Sequence, residues 1–193
     1  RSLSEVDTSK IGLWGTSYSG GHVLTVGALD KRISCIVSQV PLISGSKTFD
    51  NWVPEEKRTK FIERIESDLD NRGKGEAPRT TKAAVEGTET FEWVKNNDIR
   101  NEYRNEITLK TFDLMRTYEP FLFAPHVAPT PIAMVVADSD TQTPTVWQLE
   151  TFEKMGEPKR LFKFDCRHYD VYMDFKQEAA DVAARWFAEH LLT

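Results

Sequence analysis

Four short apolar runs, residues 11–14, 33–40, 132–137 and 161–164, interrupt an otherwise polar chain and predict strands. Three are continuous rather than alternating, the pattern of strands covered on both faces in a parallel sheet. Between the runs, hydrophobic residues recur at helical spacing. Val23, Val26 and Leu29 follow the first run, and Val146, Leu149, Phe152 and Met155 follow the third. The latter helix reads as capped by Thr143, with Pro144 at its first position and Gly156 closing it. From about residue 173, Phe175, Ala179, Val182, Ala183 and Trp186 share one stripe of a last helix. Alternating strands and helices predict an α/β fold with a mostly parallel sheet.

Between residues 45 and 120 the pattern changes. Phe61, Ile62, Ile65 and Leu69 fall on one helical face, "NRGKGEAPRTT" breaks it, and Phe91, Val94, Tyr103 and Ile107 resume a looser one. This stretch reads as a helical insertion outside the sheet, either a lid or a plain surface excursion. Its Trp52, Phe91 and Trp93 fit an apolar pocket lining or the insertion's own small core. The chain therefore divides into residues 1–44, a first part of the core; 45–120, the lid-like insertion; and 121–193, the second part of the core.

With 193 residues and a net charge of −5, acids and bases mixed, the chain has no basic block to neutralise phosphates, which disfavours a nucleic-acid partner. No apolar run is long enough to span a bilayer, so no membrane partner is expected. Cys35 and Cys166 are too few for a disulfide framework and lack metal-ligand spacing; both read as free thiols in a reducing, cytoplasmic compartment.

The candidate chemistry begins at Ser17, which stands between the first strand and its helix. Gly15, Ser19, Gly20 and Gly21 surround it with small residues, as a tight strand-to-helix turn requires. Such a turn exposes a nucleophile and aims the helix N-terminus at it, so an oxyanion formed there meets the N–H of Tyr18. A bare G-x-S-x-[GS] pattern arises by chance in roughly one chain in ten of this length, so the placement carries the argument, with a glycine-rich packing turn as the alternative. A phosphate-binding reading is poorer, because Gly12, Gly15 and Gly20 match neither G-x-G-x-x-G nor a P-loop.

A serine needs a histidine to take its proton, and the histidine a carboxylate to orient it. Asp138 and Asp140 follow the third strand and His168 follows the fourth, at strand ends where ligands gather in open α/β sheets. One of the two aspartates, Asp140 in preference to Asp138, is the candidate acid, although either also suits a helix cap. His22, His126 and His190 lack the strand-end position, and Asp165, Asp170 and Asp174 read as loop or capping residues.

"GTSYSGGH", "PTPIAMVVADSDTQTP" and "EPKRLFKFDCRHYDVY" resemble, in order and spacing, the α/β-hydrolase superfamily. The resemblance is to the branch linking dienelactone-hydrolase-like proteins with fungal polyketide transferases, and G-x-S-Y-x-G is also similar to the Xaa-Pro dipeptidyl-peptidase-like hydrolases. It implies Ser17 as nucleophile, Asp140 as acid, His168 as base and the Tyr18 N–H as an oxyanion donor. A small-molecule ester, thioester or amide would be the substrate, with no cofactor and no metal. Three features depart from the family: Ser19 in place of a glycine, Cys166 and Arg167 in place of glycines before the histidine, and a start almost at the serine turn. The last feature makes the chain look like the C-terminal part of an α/β-hydrolase fold, truncated at its N-terminus and poorly soluble or nearly inactive alone. Acyl transfer to an acceptor other than water, as in polyketide assembly, is the alternative reaction; an inactive binding domain is the alternative of another class.

Overall fold

A computed structural model describes residues 3–192. Each apolar run folds as a strand, and local turn chemistry sets where the strands stop. In chain order the elements are β1 (Gly12–Thr16), α1 (Tyr18–Leu29), β2 (Cys35–Gln39), α2 (Gly45–Trp52), α3 (Glu55–Gly73), β3 (Thr80–Thr81) and α4 (Glu89–Asn97). There follow β4 (Ile107–Thr108), α5 (Leu109–Met115), β5 (Ile132–Ala137), α6 (Thr145–Glu153), β6 (Lys159–Phe164) and α7 (Lys176–Leu191), with short 3-10 turns at Pro120–Leu122, Ala124–His126 and Asp170–Tyr172. The main sheet is parallel throughout, in the order β1-β2-β5-β6, and among the described residues seven helices accompany it. No helix among them is long and apolar enough to cross a membrane.

The chain forms two compact units, one from the residues up to Thr48 together with those from Glu119 onward, the other Phe49–Tyr118. In the first, β2 and β5 are buried along their whole length, as continuous apolar strands between two helical layers must be. Ile36, Ile132, Met134 and Val136 pack with Val23, Leu24 and Phe152 in one core layer. Cys35, Val37 and Ala133 pack with Ala183 and Trp186 of α7 in another. The stripe expected on the last helix is the one that α7 buries, at Ala179, Val182, Ala183 and Trp186. On β6, at one end of the sheet, polar Lys159 and Arg160 extend the strand beyond the apolar run.

Two helices bury only part of the faces expected: Val23, Phe152 and Met155 are in the core, but other expected positions are not. In α1 the buried positions are Gly20, Gly21, Val23, Leu24 and Gly27, while Val26 and Leu29 are exposed. Close approach to β2 favours glycine over bulk, since a Cβ on Gly27 would lie 2.1 Å from Ile36 Cδ1. In α6, Gln148 and Thr151 are buried and Val146 is exposed. Thr143 does not cap α6: its hydroxyl hydrogen-bonds Asp140, and Pro144 occupies the cap position.

The second unit has a core of its own. Phe49, Phe61 and Phe112 meet at ring-centroid distances of 5.1 to 6.3 Å. Ile65, Leu109 and Met115 are buried, whereas Leu69 and Trp52 are exposed. Its two-stranded antiparallel pair, β3 with β4, is too short to leave a periodic signal in the sequence.

Candidate active site

Ser17 is the residue between β1 and α1, with φ 54° and ψ −117°, a conformation that L-residues rarely adopt. Three backbone hydrogen bonds hold it there. Its N–H donates to the Gln39 carbonyl (2.9 Å), and its carbonyl accepts from Gly20 (3.0 Å) and Leu42 (2.8 Å). Gly15 is obligatory, because a Cβ there would lie 2.0 Å from the carbonyl oxygen of Ser19. The hydroxyl of Ser19 accepts from the Thr16 N–H (2.8 Å) and donates to the Thr16 carbonyl (2.9 Å), so serine in place of glycine stitches the turn. Tyr18 opens α1, at the end where helix N–H groups point outward.

At the end of β2, Val40 also has a positive φ of 36°, which is strained for a β-branched residue. Its N–H donates to Val135 (2.7 Å), and the turn it makes brings Leu42 back to the Ser17 carbonyl. β2 thereby joins the serine turn to the end of β5.

There the two aspartates separate. Asp138 lies at the surface and pairs with Lys163 of β6 at 3.0 Å. Asp140 is buried, and its carboxylate is surrounded by donors. Oδ1 accepts the N–H groups of Gln142 and Thr143, both at 2.9 Å. Oδ2 accepts the Thr143 hydroxyl (2.9 Å), the Gln148 amide (3.2 Å) and Nδ1 of His168 (2.8 Å). Thr145 fastens the loop backbone, donating its hydroxyl to the Ala137 carbonyl (2.6 Å) and accepting from the Asp140 N–H (3.2 Å).

His168 follows β6 and is also buried. Its Nε2 lies 3.1 Å from the Ser17 hydroxyl oxygen. Because Nδ1 faces a carboxylate, it carries the ring proton of the neutral imidazole, and Nε2 is left as the acceptor toward Ser17. Tyr169 and Tyr172 set their rings edge-on to the imidazole, at 5.0 and 6.0 Å. The Tyr172 hydroxyl lies 2.7 Å from Thr16 Oγ1, which accepts from the buried Gln39 amide (3.2 Å). Burial pushes the Tyr172 phenol up to about 12, so it stays neutral.

The loop before His168 keeps its shape without glycines. Arg167 ties back to Asp170, its N–H and guanidinium both reaching the carboxylate, and the 3-10 turn follows. Cys166 is buried with Val40, Ala137 and Val171. Burial, then the nearby Asp170, Asp140, Asp138 and Asp165, pushes its thiol up to about 11, a poor nucleophile at neutral pH. Cys35 is likewise buried and unpaired. The other histidines lie elsewhere: His22 on the exposed side of α1, His126 in a surface 3-10 turn and His190 near the end of α7 against Trp186.

Ser17, Asp140 and His168 thus form one hydrogen-bonded row drawn from three strand ends. Thr143, Gln148, Thr16, Gln39 and Tyr172 around it were not singled out as site residues in the sequence. The one available signal was a glutamine on the inner face of a short helix that starts next to an acidic loop.

No family model matches the chain. Curated relatives include an uncharacterised 31.7 kDa protein of the traX-finO intergenic region of Escherichia coli, 29% identical over 195 residues that cover 96% of this chain and 67% of that protein. The thiohydrolase aneE of Aspergillus aculeatus is 28% identical over 182 residues, 85% of this chain and 56% of its own length. A crystal structure of the α/β hydrolase GrgF from Penicillium sp. sh18 matches with a TM-score of 0.82 at 24% identity, over 97% of this chain and 66% of that one. A polyketide transferase grgF of Penicillium sp. is 28% identical over 166 residues, 81% of this chain and 54% of the relative. The chain spans little more than half the length of these fungal relatives. It has the α/β-hydrolase fold and, within it, is similar to the branch that contains fungal thiohydrolases and polyketide transferases.

Proposed function

We propose that the protein is an acyl hydrolase or acyltransferase in which Ser17 is the nucleophile, His168 the general base and acid, and Asp140 the group that orients the histidine. The observation that carries this reading is the continuous row Asp140 Oδ2, His168 Nδ1, His168 Nε2, Ser17 Oγ, with links of 2.8 and 3.1 Å on a strained turn.

The chemistry follows from the proton positions. Ser17 Oγ attacks the substrate carbonyl while its proton passes to His168 Nε2, and the imidazolium is stabilised by Asp140. The carbonyl π electrons move to oxygen, and the oxyanion meets the Tyr18 N–H and the N-terminus of α1. When the intermediate collapses, the leaving group takes the proton from Nε2 and an acyl-serine remains. A second nucleophile then gives its proton to Nε2 as it attacks the acyl carbon, and collapse of this second tetrahedral intermediate returns that proton to Ser17 Oγ as the C–O bond breaks. Water as that nucleophile gives hydrolysis; a hydroxyl, an amine or an acidic C–H acceptor gives transfer. The names of the relatives favour a thioester as substrate, and the polyketide transferases among them favour transfer as the second reading.

The test is labelling of the full-length protein with a fluorophosphonate, read by intact mass. One adduct on the wild type and none on Ser17→Ala is expected. An adduct retained by Ser17→Ala would remove the serine from the mechanism. Product analysis from a simple thioester, with and without added acceptors, separates hydrolysis from transfer.

A further inference from the structure

The geometry points to Gln148 and Thr143 as positioning residues: their side chains hold Asp140 against His168 and limit how much of its negative charge the imidazole feels. The inference rests on the reading of Asp140 and His168 given above.

Proton counting supports it. Asp140 Oδ2 is shared by three donors, of which the imidazole is only one. The Thr143 hydroxyl has a single proton and two acceptors in range, Asp140 Oδ2 at 2.9 Å and the Val40 carbonyl at 3.1 Å. The ionised acceptor wins, because charge-assisted hydrogen bonds are the stronger ones. The same oxygen lies 3.3 Å from His168 Nδ1, so hydroxyl, carboxylate and imidazole close a ring.

Gln148 carries the argument furthest. It is completely buried in the first turn of α6, a place for an apolar side chain. Its Nε2 reaches Asp140 Oδ2, the Thr143 carbonyl and Thr143 Oγ1, while its Oε1 is buried without a partner among the described residues. Turning the amide over would point that oxygen at a carboxylate and a carbonyl, so the orientation is fixed by its neighbours. A buried amide that satisfies one end and orphans the other costs stability relative to an apolar side chain of the same length. Its use therefore lies in what the satisfied end does to Asp140.

The direction of the effect follows from charge. When the Asp140–His168 pair takes a proton it passes from one net negative charge to none. A donor aimed at Asp140 stabilises the charged side of that step, so removing it makes the pair bind its proton more readily. Other ionisable groups at this end of the sheet do not mask the step. Tyr172 and Cys166 are pushed up to about 12 and 11, and Asp138 and Asp170 are paired with Lys163 and Arg167. Tyr169 stands against the ring, and Asp165 follows β6.

The experiment measures, on the full-length protein, thermal unfolding, thioester turnover and the titration of the His168 ring followed by NMR. Gln148→Met is expected to unfold near the wild-type temperature, because the gain from removing an orphaned buried oxygen offsets the loss of the donor to Asp140 and the Thr143 carbonyl. Its kcat should fall about tenfold at unchanged KM, and the imidazole titration should move up by about half a pH unit. Thr143→Val should move the titration in the same direction, and Thr143→Ser should restore it. A Gln148→Met protein with wild-type kcat and an unmoved titration would overturn the proposal. So would a loss of kcat that comes with a lowered unfolding temperature and an unmoved titration, the mark of a merely structural residue. The titration needs no turnover, which separates the two readings. If the wild type takes no fluorophosphonate while the titration still moves in Gln148→Met, the brace stands and the functional reading fails.

Discussion

Among the described residues each of the two units buries one aspartate, and the partners of the two carboxylates differ in kind. Asp68, in α3, accepts the guanidinium of Arg72 (2.9 Å) and the backbone N–H of Arg79 (2.7 Å), with the Arg79 guanidinium 3.6 Å away. Arg72 continues to Asp113 at 3.2 Å. Asp140 accepts four neutral donors and one imidazole. Arginine keeps its charge at any working pH, so the Asp68 cluster has one protonation state and serves as an anchor. Imidazole can take up a proton and give it back, so the surroundings of Asp140 can follow a charge that comes and goes. Carboxylates of equal burial differ in use because of what sits opposite them.

Exchanging each carboxylate for its amide is the strongest way to break this comparison. Asp140→Asn is expected to lower kcat by about ten-thousand-fold, through loss of the acceptor that fixes the imidazole tautomer, while the protein stays folded by circular dichroism. Asp68→Asn should leave thioester turnover unchanged and lower the midpoint of thermal unfolding, because Arg79 loses its counter-charge and Arg72 keeps only Asp113. Loss of turnover in Asp68→Asn without unfolding would show that the anchor is not merely structural.

A smaller effect appears in acid. The Arg79 N–H, followed by Arg72, outweighs burial and holds Asp68 below the usual carboxylate range. A depressed native value means that its stabilisation is complete above the unfolded value of about 4 and is lost as pH falls through the native value. Urea melts between neutral pH and about pH 3 should therefore show a fall in stability at the acid end that is shallower in Asp68→Asn.

The smallest expected effect concerns Cys166. With its thiol pushed up to about 11, iodoacetamide at pH 8 should leave it unmodified in the folded protein and alkylate it in urea, as mass spectrometry can read. The raised native value also means that the unfolded chain gives up this proton first, so the thiol's contribution to stability declines as pH rises past about 8.5. Rapid alkylation of the native protein would place Cys166 in a more polar setting than its packing with Val40 and Val171 indicates.

Much of the fold was legible along the chain. The runs at residues 33–40 and 132–137 became the two wholly buried central strands, because a strand covered on both faces favours hydrophobic residues, and the two polar ones in β2, Ser38 and Gln39, are hydrogen-bonded. Small residues around Ser17 gave the tight turn, since a Cβ at Gly15 would overlap the neighbouring backbone. The buried side of α1 was misread because hydrophobic periodicity looks for bulk, whereas close packing on β2 uses Gly20 and Gly27.

By itself the sequence determined the four strands of the main sheet, the glycine-dependent serine turn and the strand-end positions of Ser17, Asp140 and His168, all of which depend on near neighbours in the chain. Only the tertiary structure decided that Asp138 turns outward to Lys163 and Asp140 inward to His168, and that Thr143 and Gln148 serve that carboxylate. The physical reason is that position after a strand does not fix which way a polar side chain turns. Its direction is settled by partners brought beside it from elsewhere in the chain, here Lys163 for Asp138 and, for Asp140, an imidazole 28 residues away.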